Sequence, residues 1–406
     1  MSRADNKTLA IFSNVRAIAR SNGNVVLAGR LISGMEEHGK YWPGGMLCAC
    51  EPAPEEELTS NADRALGGDN VEISPGDLPF KLAVVDFRSE KARRLLADVA
   101  VAIVGIGHRV THMSAWGKEL NVPIVYGSEY SLKTRLQINR AEAANPIILA
   151  RRILWQYNLE RKQRRAICLA DGIQCNGTPT YDAYKQISPN PMLFFDGRMS
   201  EDMLVSDAHQ AERHARLRRG EPLRLAWSGR LNRMKGAHHL PAFAAELKKL
   251  GVPFKLEIFG GGVLETSLRK EVSERDLNDC VDVKGYVDFV NALTPHMQKN
   301  VDIWVCPHVQ GDPSGAFLET FGSGLPIIGF DSEALTGMLR LVEAGRTVPL
   351  GDAKALAASV ARASRGRENL IRWSTAARSF ATDHTLDASF KRRMAHIDQI
   401  LSSRSR

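Results

Sequence analysis

No stretch of the chain is long enough to cross a bilayer as a helix; its longest apolar runs, such as Val99 to Ile106, have the length of a buried strand. A basic-then-apolar leader is also missing, so the expected location is the cytoplasm. The six cysteines (Cys48, Cys50, Cys168, Cys175, Cys280, Cys306) include no C-x-x-C pair and fall far short of a secreted disulfide scaffold; they read as reduced, packing thiols. With no H-E-x-x-H and no clustered Cys/His set, no visible site requires a metal. P-loop and nucleophile-elbow patterns are missing too. The glycines at Gly105–Gly107 and Gly260–Gly262 do not complete G-x-G-x-x-G, which argues against a dinucleotide site. Nor is there an internal repeat of 20 to 50 residues, which excludes a solenoid.

What is present is a globular composition of 406 residues, 44% hydrophobic and 25% charged, too long for one ordinary core. In the first half, apolar runs at Leu9–Ser13, Leu82–Asp86, Val99–Ile106, Pro123–Tyr126 and Gly172–Asn176 alternate with helical patterns, including one from about Asn24 to His38. The second half repeats this with Arg224–Ser228, Lys255–Phe259, Asp282–Lys284, Val301–Cys306 and Pro326–Phe330. The alternation predicts an α/β protein of two doubly wound, Rossmann-like domains facing a cleft. The expected boundaries are 1–198, a charged linker and hinge at 199–222, a second domain at 223–385, and a last helix at 386–406 that packs back on the first domain.

The net charge of +8 is unevenly placed: residues 51–80 hold eight acids and one Arg, whereas 131–170 hold nine Lys/Arg and two acids. The basic segment, with Arg151, Arg152, Trp155, Tyr157, Arg161, Lys162, Arg164 and Arg165, suits a helix on anionic lipid or a polyanionic acceptor; the plainer reading is a solvated face. A nucleic-acid partner is not expected, because aromatic interleaving stops at Trp155 and Tyr157 and no binding motif accompanies them.

Candidate chemistry gathers beyond strand ends. After Val301–Cys306 comes a turn, then a helix that Asp312 or Ser314 can cap, with Pro313 in its first turn. Free amides and the helix dipole there favour phosphate, and Glu319 one to two turns on, beside Thr320, can accept hydrogen bonds from ribose or sugar hydroxyls. The loop after Arg224–Ser228 presents Gly229, Arg230 and Lys235, a guanidinium and an ammonium that can hold a diphosphate; a salt bridge is the plainer alternative for an isolated Arg-x4-Lys. Gly260, after Lys255–Phe259, offers a tight turn or close ligand approach. In the first half S-N-G-N at 21–24 is expected to precede a helix, with Gly23 supplying a free amide to the same diphosphate or a plain cap. His108 is a candidate for the cleft wall, His112 lies one turn further, and the pair His238–His239 reads as solvent-facing.

Taken in order, G-R-L-x-x-x-K-G, L-E-I-F-G-G-G, V-K-G-Y-V, V-D-I-W-V-C-P and F-L-E-T-F-G-S-G-L-P-I-I-G-F-D resemble the family 4 (group 1) retaining glycosyltransferases over residues 223 to about 364. The segment Ala344–Ala357 is similar to that family's C-terminal part, while in the first half the resemblance rests on S-N-G-N and on A-D-G-I-Q-C-N-G near Ala170. It implies a GT-B fold and a nucleotide-diphosphate sugar as donor, held mainly by the C-terminal domain without any tightly bound cofactor. A glycan or lipid-linked acceptor would sit in the N-terminal domain, at the inner face of the membrane. By the same resemblance Arg230 and Lys235 match the diphosphate pair, Glu319 the second Glu of Glu-x7-Glu, and His108 the cleft histidine. Gly311 stands where that motif has its first Glu, and Asp312 is the nearest acid. The rival reading is a catalytically silent GT-B protein that binds a nucleotide sugar as a partner or regulatory subunit.

Overall fold

In the computed structural model, which describes residues 7–54, 70–142, 145–311 and 315–404, the alternation becomes two parallel sheets. The N-terminal half supplies β1 (Leu9–Phe12), β2 (Ile18–Ala19), β3 (Val25–Ala28), β4 (Met46–Cys50), β5 (Asn70–Ile73), β6 (Lys81–Val84), β7 (Val101–Gly105), β8 (Ile124–Ser128), β9 (Gly172–Asn176) and β10 (Pro191–Phe194). The C-terminal half supplies β11 (Leu223–Ser228), β12 (Phe254–Phe259), β13 (Val281–Gly285), β14 (Ile303–Cys306), β15 (Ile327–Phe330) and β16 (Gly345–Val348). The first sheet runs β10-β9-β8-β7-β1-β4-β6 and the second β13-β12-β11-β14-β15-β16, with parallel neighbours throughout. Helices cover both faces, which is why these strands read as continuous apolar runs. In β1, Leu9 packs into the core of one face while Ala10 and Phe12 pack into the other, as a two-residue period requires.

One expectation needs correction, and two further segments gain defined structure. The stretch from Asn24 opens as a strand: β2 and β3 form an antiparallel hairpin that continues to β5, and the helix begins only at Gly29. Val25, Val26 and Leu27 favour a pleated surface, and Gly23 at φ +86° makes the turn. The run M-L-C-A-C, unassigned from sequence, is the fully buried β4. Finally, the presumed linker holds the helix Asp207–Arg218, capped by Ser206, which accepts from the His209 N–H at 3.2 Å.

That helix is bound to the second sheet. Arg213, fully buried, donates to the carbonyl oxygens of Val301, Gly324, Met297, Gln298 and Ser323 at 2.6–3.2 Å. Desolvation pushes its pKa down to about 10, so the charge is retained at neutral pH. Arg216, one turn on, pairs with buried Asp302 at 2.7 Å. The last helix, Leu386–Arg404, lies on the N-terminal sheet, where Met394, Ile397 and Ile400 join the core beside Leu9, Cys48 and Val101.

Removing the Arg213 guanidinium leaves several buried carbonyls without donors and opens a void. Arg213→Ala should therefore lower the unfolding free energy by about 3–5 kcal/mol, read as an earlier urea midpoint. A loss below about 1 kcal/mol, within the range of one ordinary hydrogen bond, contradicts this account.

Candidate functional site

Strand order reverses at β11 in the second sheet, so the loops after β11 and β14 diverge and leave a crevice at the carboxyl edge. Main chain meets main chain on either side of it. Gly236 has φ +69°, and a Cβ there would lie 1.7 Å from the Pro307 oxygen; Gly260 has φ +121°, and its Cβ would lie 1.9 Å from the Gly229 oxygen. The Met234 oxygen also accepts from the N–H groups of Val309 and Gln310, each at 3.3 Å.

This frame puts Arg230 and Lys235 on the loop after β11 and Glu319 on the helix that follows β14, so all three share one edge on adjacent strands. The Arg230 guanidinium is partly exposed and has no hydrogen-bond partner among the described residues. The Lys235 backbone N–H donates to Asn232 Oδ1 at 2.8 Å, which fixes the turn that carries its ammonium. The Gly229 N–H is bonded to the Phe259 oxygen at 3.0 Å and the Gly260 N–H to the Gly285 oxygen at 2.7 Å. These two glycines therefore frame the crevice and do not lend it free amides.

Glu319, on the helix Gly315–Gly322, keeps only 14% of its side-chain area exposed, and its Oε1 accepts from Arg198 Nε and Nη2, both at 2.9 Å. Arg198, from the crossing between the two halves, lies over the Phe289 ring at 3.9 Å. Thr320, next to it on the same helix, is buried. Asp312 and Ser314 lie outside the described residues. Gly311 is pressed between the two halves. Its N–H donates to Gln137 Oε1 at 2.9 Å, and a Cβ would meet the Glu333 Cβ at 3.2 Å. A side chain there would need Glu333, Gln137 or Thr134 to shift by a few tenths of an ångström.

Three further candidates take these positions. Gly23 sits in the β2–β3 turn with its N–H on the Arg20 oxygen at 3.1 Å, so it heads no helix and offers no free amide. His108 is exposed against Trp155, with ring centroids 5.7 Å apart, and its carbonyl accepts from Arg88. His238 and His239 are half-buried, and burial first and His239 next push the His238 pKa down to about 4.

Sequence reading missed His308, on the loop after β14. It is buried among Trp227, Trp304 and Phe317, with both ring nitrogens unpartnered among the described residues. Burial, followed by the Lys235 ammonium, pushes its pKa well below the usual imidazole value. A neutral ring beside Lys235 leaves one nitrogen to donate and one to accept.

The first sheet reverses order at β1, and there too a cavity opens beyond the strand ends. It measures about 600 Å³ and is lined by Ser13–Arg16 after β1, Ser128 and Glu129 at the end of β8, Asp196 on the crossing, and Phe390 and Arg393 from the last helix. His38 closes one wall; its Nδ1 donates to the Gly34 oxygen at 2.6 Å.

Comparison with known proteins now has two folded halves and two crevices to explain. Residues 209–380 match the family described as Glycosyl transferases group 1. They form a group 1 glycosyltransferase domain. The amylovoran biosynthesis glycosyltransferase AmsK of Erwinia amylovora is 30% identical over 165 residues, 39% of this chain and 40% of AmsK. WcaL of Salmonella typhimurium, named for colanic acid biosynthesis, is 32% identical over 155 residues, 36% of this chain and 37% of WcaL. The matches thus span well under half the length of these curated relatives. Over the whole chain the fold is GT-B. The UDP complex of Anabaena Alr3699/HepE superposes with a TM-score of 0.64 over 98% of this chain and all of that one at 13% identity. The sucrose-phosphate synthase of Thermosynechococcus elongatus gives 0.60 at 16% identity, covering 98% of this chain and 99% of its own.

One pH dependence follows from the cavity wall. Burial, followed by Arg393, pushes the His38 pKa down to about 3, whereas the unfolded side chain takes a proton near 6.5. Between those values the unfolded chain binds the extra proton, so stability falls as pH drops from about 6.5 towards 3. His38→Phe should flatten that slope in urea titrations; an unchanged slope counts against a neutral, buried His38.

Proposed function

We propose that the chain transfers a sugar from a nucleotide-diphosphate sugar to a glycan or lipid-linked acceptor, with retention of configuration, in polysaccharide or glycoconjugate assembly. The observation that carries this reading is the single edge shared by Arg230, Lys235 and Glu319, within the domain that matches the transferase family. The two cations suit a departing diphosphate, whose charge grows as the bond to the sugar breaks. In this reading the sugar C1 to phosphate-oxygen bond breaks, the acceptor oxygen bonds to C1 on the same face, and the acceptor proton passes to the leaving diphosphate. No enzyme nucleophile is needed, and the protein acts by positioning and charge stabilisation. Glu319 keeps Oε2 for ribose hydroxyls while Oε1 faces Arg198. UDP, bound in the Anabaena structure, is the first ligand to try.

Saturating UDP should raise the melting temperature, since a ligand at 100 times its Kd adds about 2.7 kcal/mol to the folded state. In a transfer assay Lys235→Ala should lower turnover by about 10²–10³-fold at an unchanged melting temperature. Equal turnover in a folded Lys235→Ala protein, or a product of inverted anomeric configuration, refutes the corresponding part. The silent-partner reading survives only if UDP binds and neither transfer nor donor hydrolysis occurs.

The helix Pro146–Leu169 supports a site of action at an anionic membrane surface. Gln156, Leu159, Glu160, Gln163, Ala166 and Ile167 are its inward face. Outside, Ile147, Leu154, Trp155 and Tyr157 remain 48–75% exposed among exposed Arg151, Arg152, Arg161 and Lys162. Apolar anchors ringed by cations suit the headgroup boundary of a bilayer. No helix of the described residues is long and apolar enough to cross one. The chain should sediment with phosphatidylglycerol vesicles more than with phosphatidylcholine, and Leu154→Asp should weaken this; equal binding to both vesicles argues against the assignment.

A further inference from the structure

The chain that crosses from the first half to the second is laid against the helix that carries Glu319. Just after β10 the Asp196 N–H donates to Asn176 Oδ1, at the end of β9, at 3.0 Å. The next residues lie on the helix Gly315–Gly322 itself: a Cβ on Gly197 would come within 3.0 Å of Leu318 Cδ1, and one on Gly315 within 3.5 Å of the Asp196 oxygen. Further along, Met199 lies against Gly322, and the Val205 N–H donates to the Gly322 oxygen at 2.8 Å. Arg198 is therefore presented from a backbone already docked at both ends of this helix.

Its guanidinium is held on two sides. Arg198 Nε donates to Glu319 Oε1 at 2.9 Å, and Nη2 lies 2.9 Å from the same oxygen. Over its flat side sits the Phe289 ring, 3.9 Å away. Phe289 opens a short π-helical turn, Phe289–Leu293, which Asp288 caps by accepting from the Asn291 N–H at 2.7 Å. Phe289 follows β13 and Glu319 follows β14, strands separated in the sheet by β12 and β11. Arg198 thus links segments from both sides of the crevice. Among the described residues it is the sole partner of the Glu319 carboxylate, and Oε2 takes none.

As a strut this contact is weak, because Arg198 is 56% exposed and water screens so open a pair. As a restraint on Glu319 it is effective. A glutamate without a partner samples several rotamers, and a ligand that needs one of them must first suppress the others. Two nitrogens on one oxygen, backed by a ring, remove that freedom and leave the second oxygen as the acceptor.

We infer that Arg198 is a positioning residue for the nucleotide: by engaging Oε1 it sets the Glu319 carboxylate so that Oε2 meets the hydroxyls of a ribose. This rests on the reading that a nucleotide diphosphate occupies the second crevice. It adds that the restraint on the ribose anchor is supplied from the crossing, outside the domain that holds the anchor.

Calorimetric titration of the full chain with UDP and with 2′,3′-dideoxyuridine diphosphate tests this, since only UDP carries the ribose hydroxyls. Arg198→Ala should weaken UDP by about tenfold, the low end of the range for one charge-assisted hydrogen bond. It should leave the dideoxy nucleotide and the ligand-free melting temperature unchanged, so that the preference for UDP collapses. Arg198→Lys, which keeps the charge but not the fork, should restore part of that preference. In a Glu319→Gln background Arg198→Ala should cause no further loss, because the two residues act as one unit. Equal weakening of both nucleotides, which a mere strut between the halves would give, overturns the inference. So does an unchanged or tighter affinity for UDP, or additive losses in the double variant. If the unaltered chain binds neither nucleotide, the UDP donor reading fails and this inference with it; a preference for UDP that survives Arg198→Ala removes the inference alone.

Discussion

The reversal of strand order is the constraint on which the rest of this molecule depends. Parallel strands deliver every connection of one sense to the same edge, and where two successive connections leave in opposite directions the chain cannot fill the space between them. This happens at β1 in one sheet and at β11 in the other. Two polar groupings, Arg230 with Lys235 and Glu319, and Arg393 with Glu129 and Asp196, occur at those two places. Chemistry follows from topology before any particular side chain is considered.

Two arginines complete what topology starts, in different ways. Arg213 is saturated by carbonyl oxygens at strand and helix ends, so its charge is used up in holding the helix Asp207–Arg218 to the second sheet. Arg393 is held by rings and one amide, so its charge is left over. The contrast shows one residue type with its donors satisfied in one half and partly unsatisfied in the other. Burial alone does not separate the two; the satisfaction of the donors does.

Much of this was legible in the chain. Apolar runs such as Val301–Cys306 and Gly172–Asn176 mark buried parallel strands because both faces are covered, and motif order placed Arg230, Lys235 and Glu319 on one edge. The failures have physical causes. Val25–Ala28 merges with the following helix into one apolar stretch without a distinct period, so hairpin and helix looked alike. The interval 199–222 is rich in charge, and nothing local reveals that distant carbonyls satisfy Arg213. His308 and Arg393 were invisible for the same reason: their surroundings come from residues far away along the chain, such as Trp227 for one and Gln174 for the other. Local pattern reports strands well and neighbourhoods poorly.

The glycine contacts at the second crevice carry a broader meaning. Because Gly236 abuts the Pro307 carbonyl and Gly260 the Gly229 carbonyl, the spacing of this rim is dictated by peptide units, which every protein shares. Decoration around such a rim is free to drift while its outline persists. A likeness of 0.64 in shape at 13% identity is what that independence looks like.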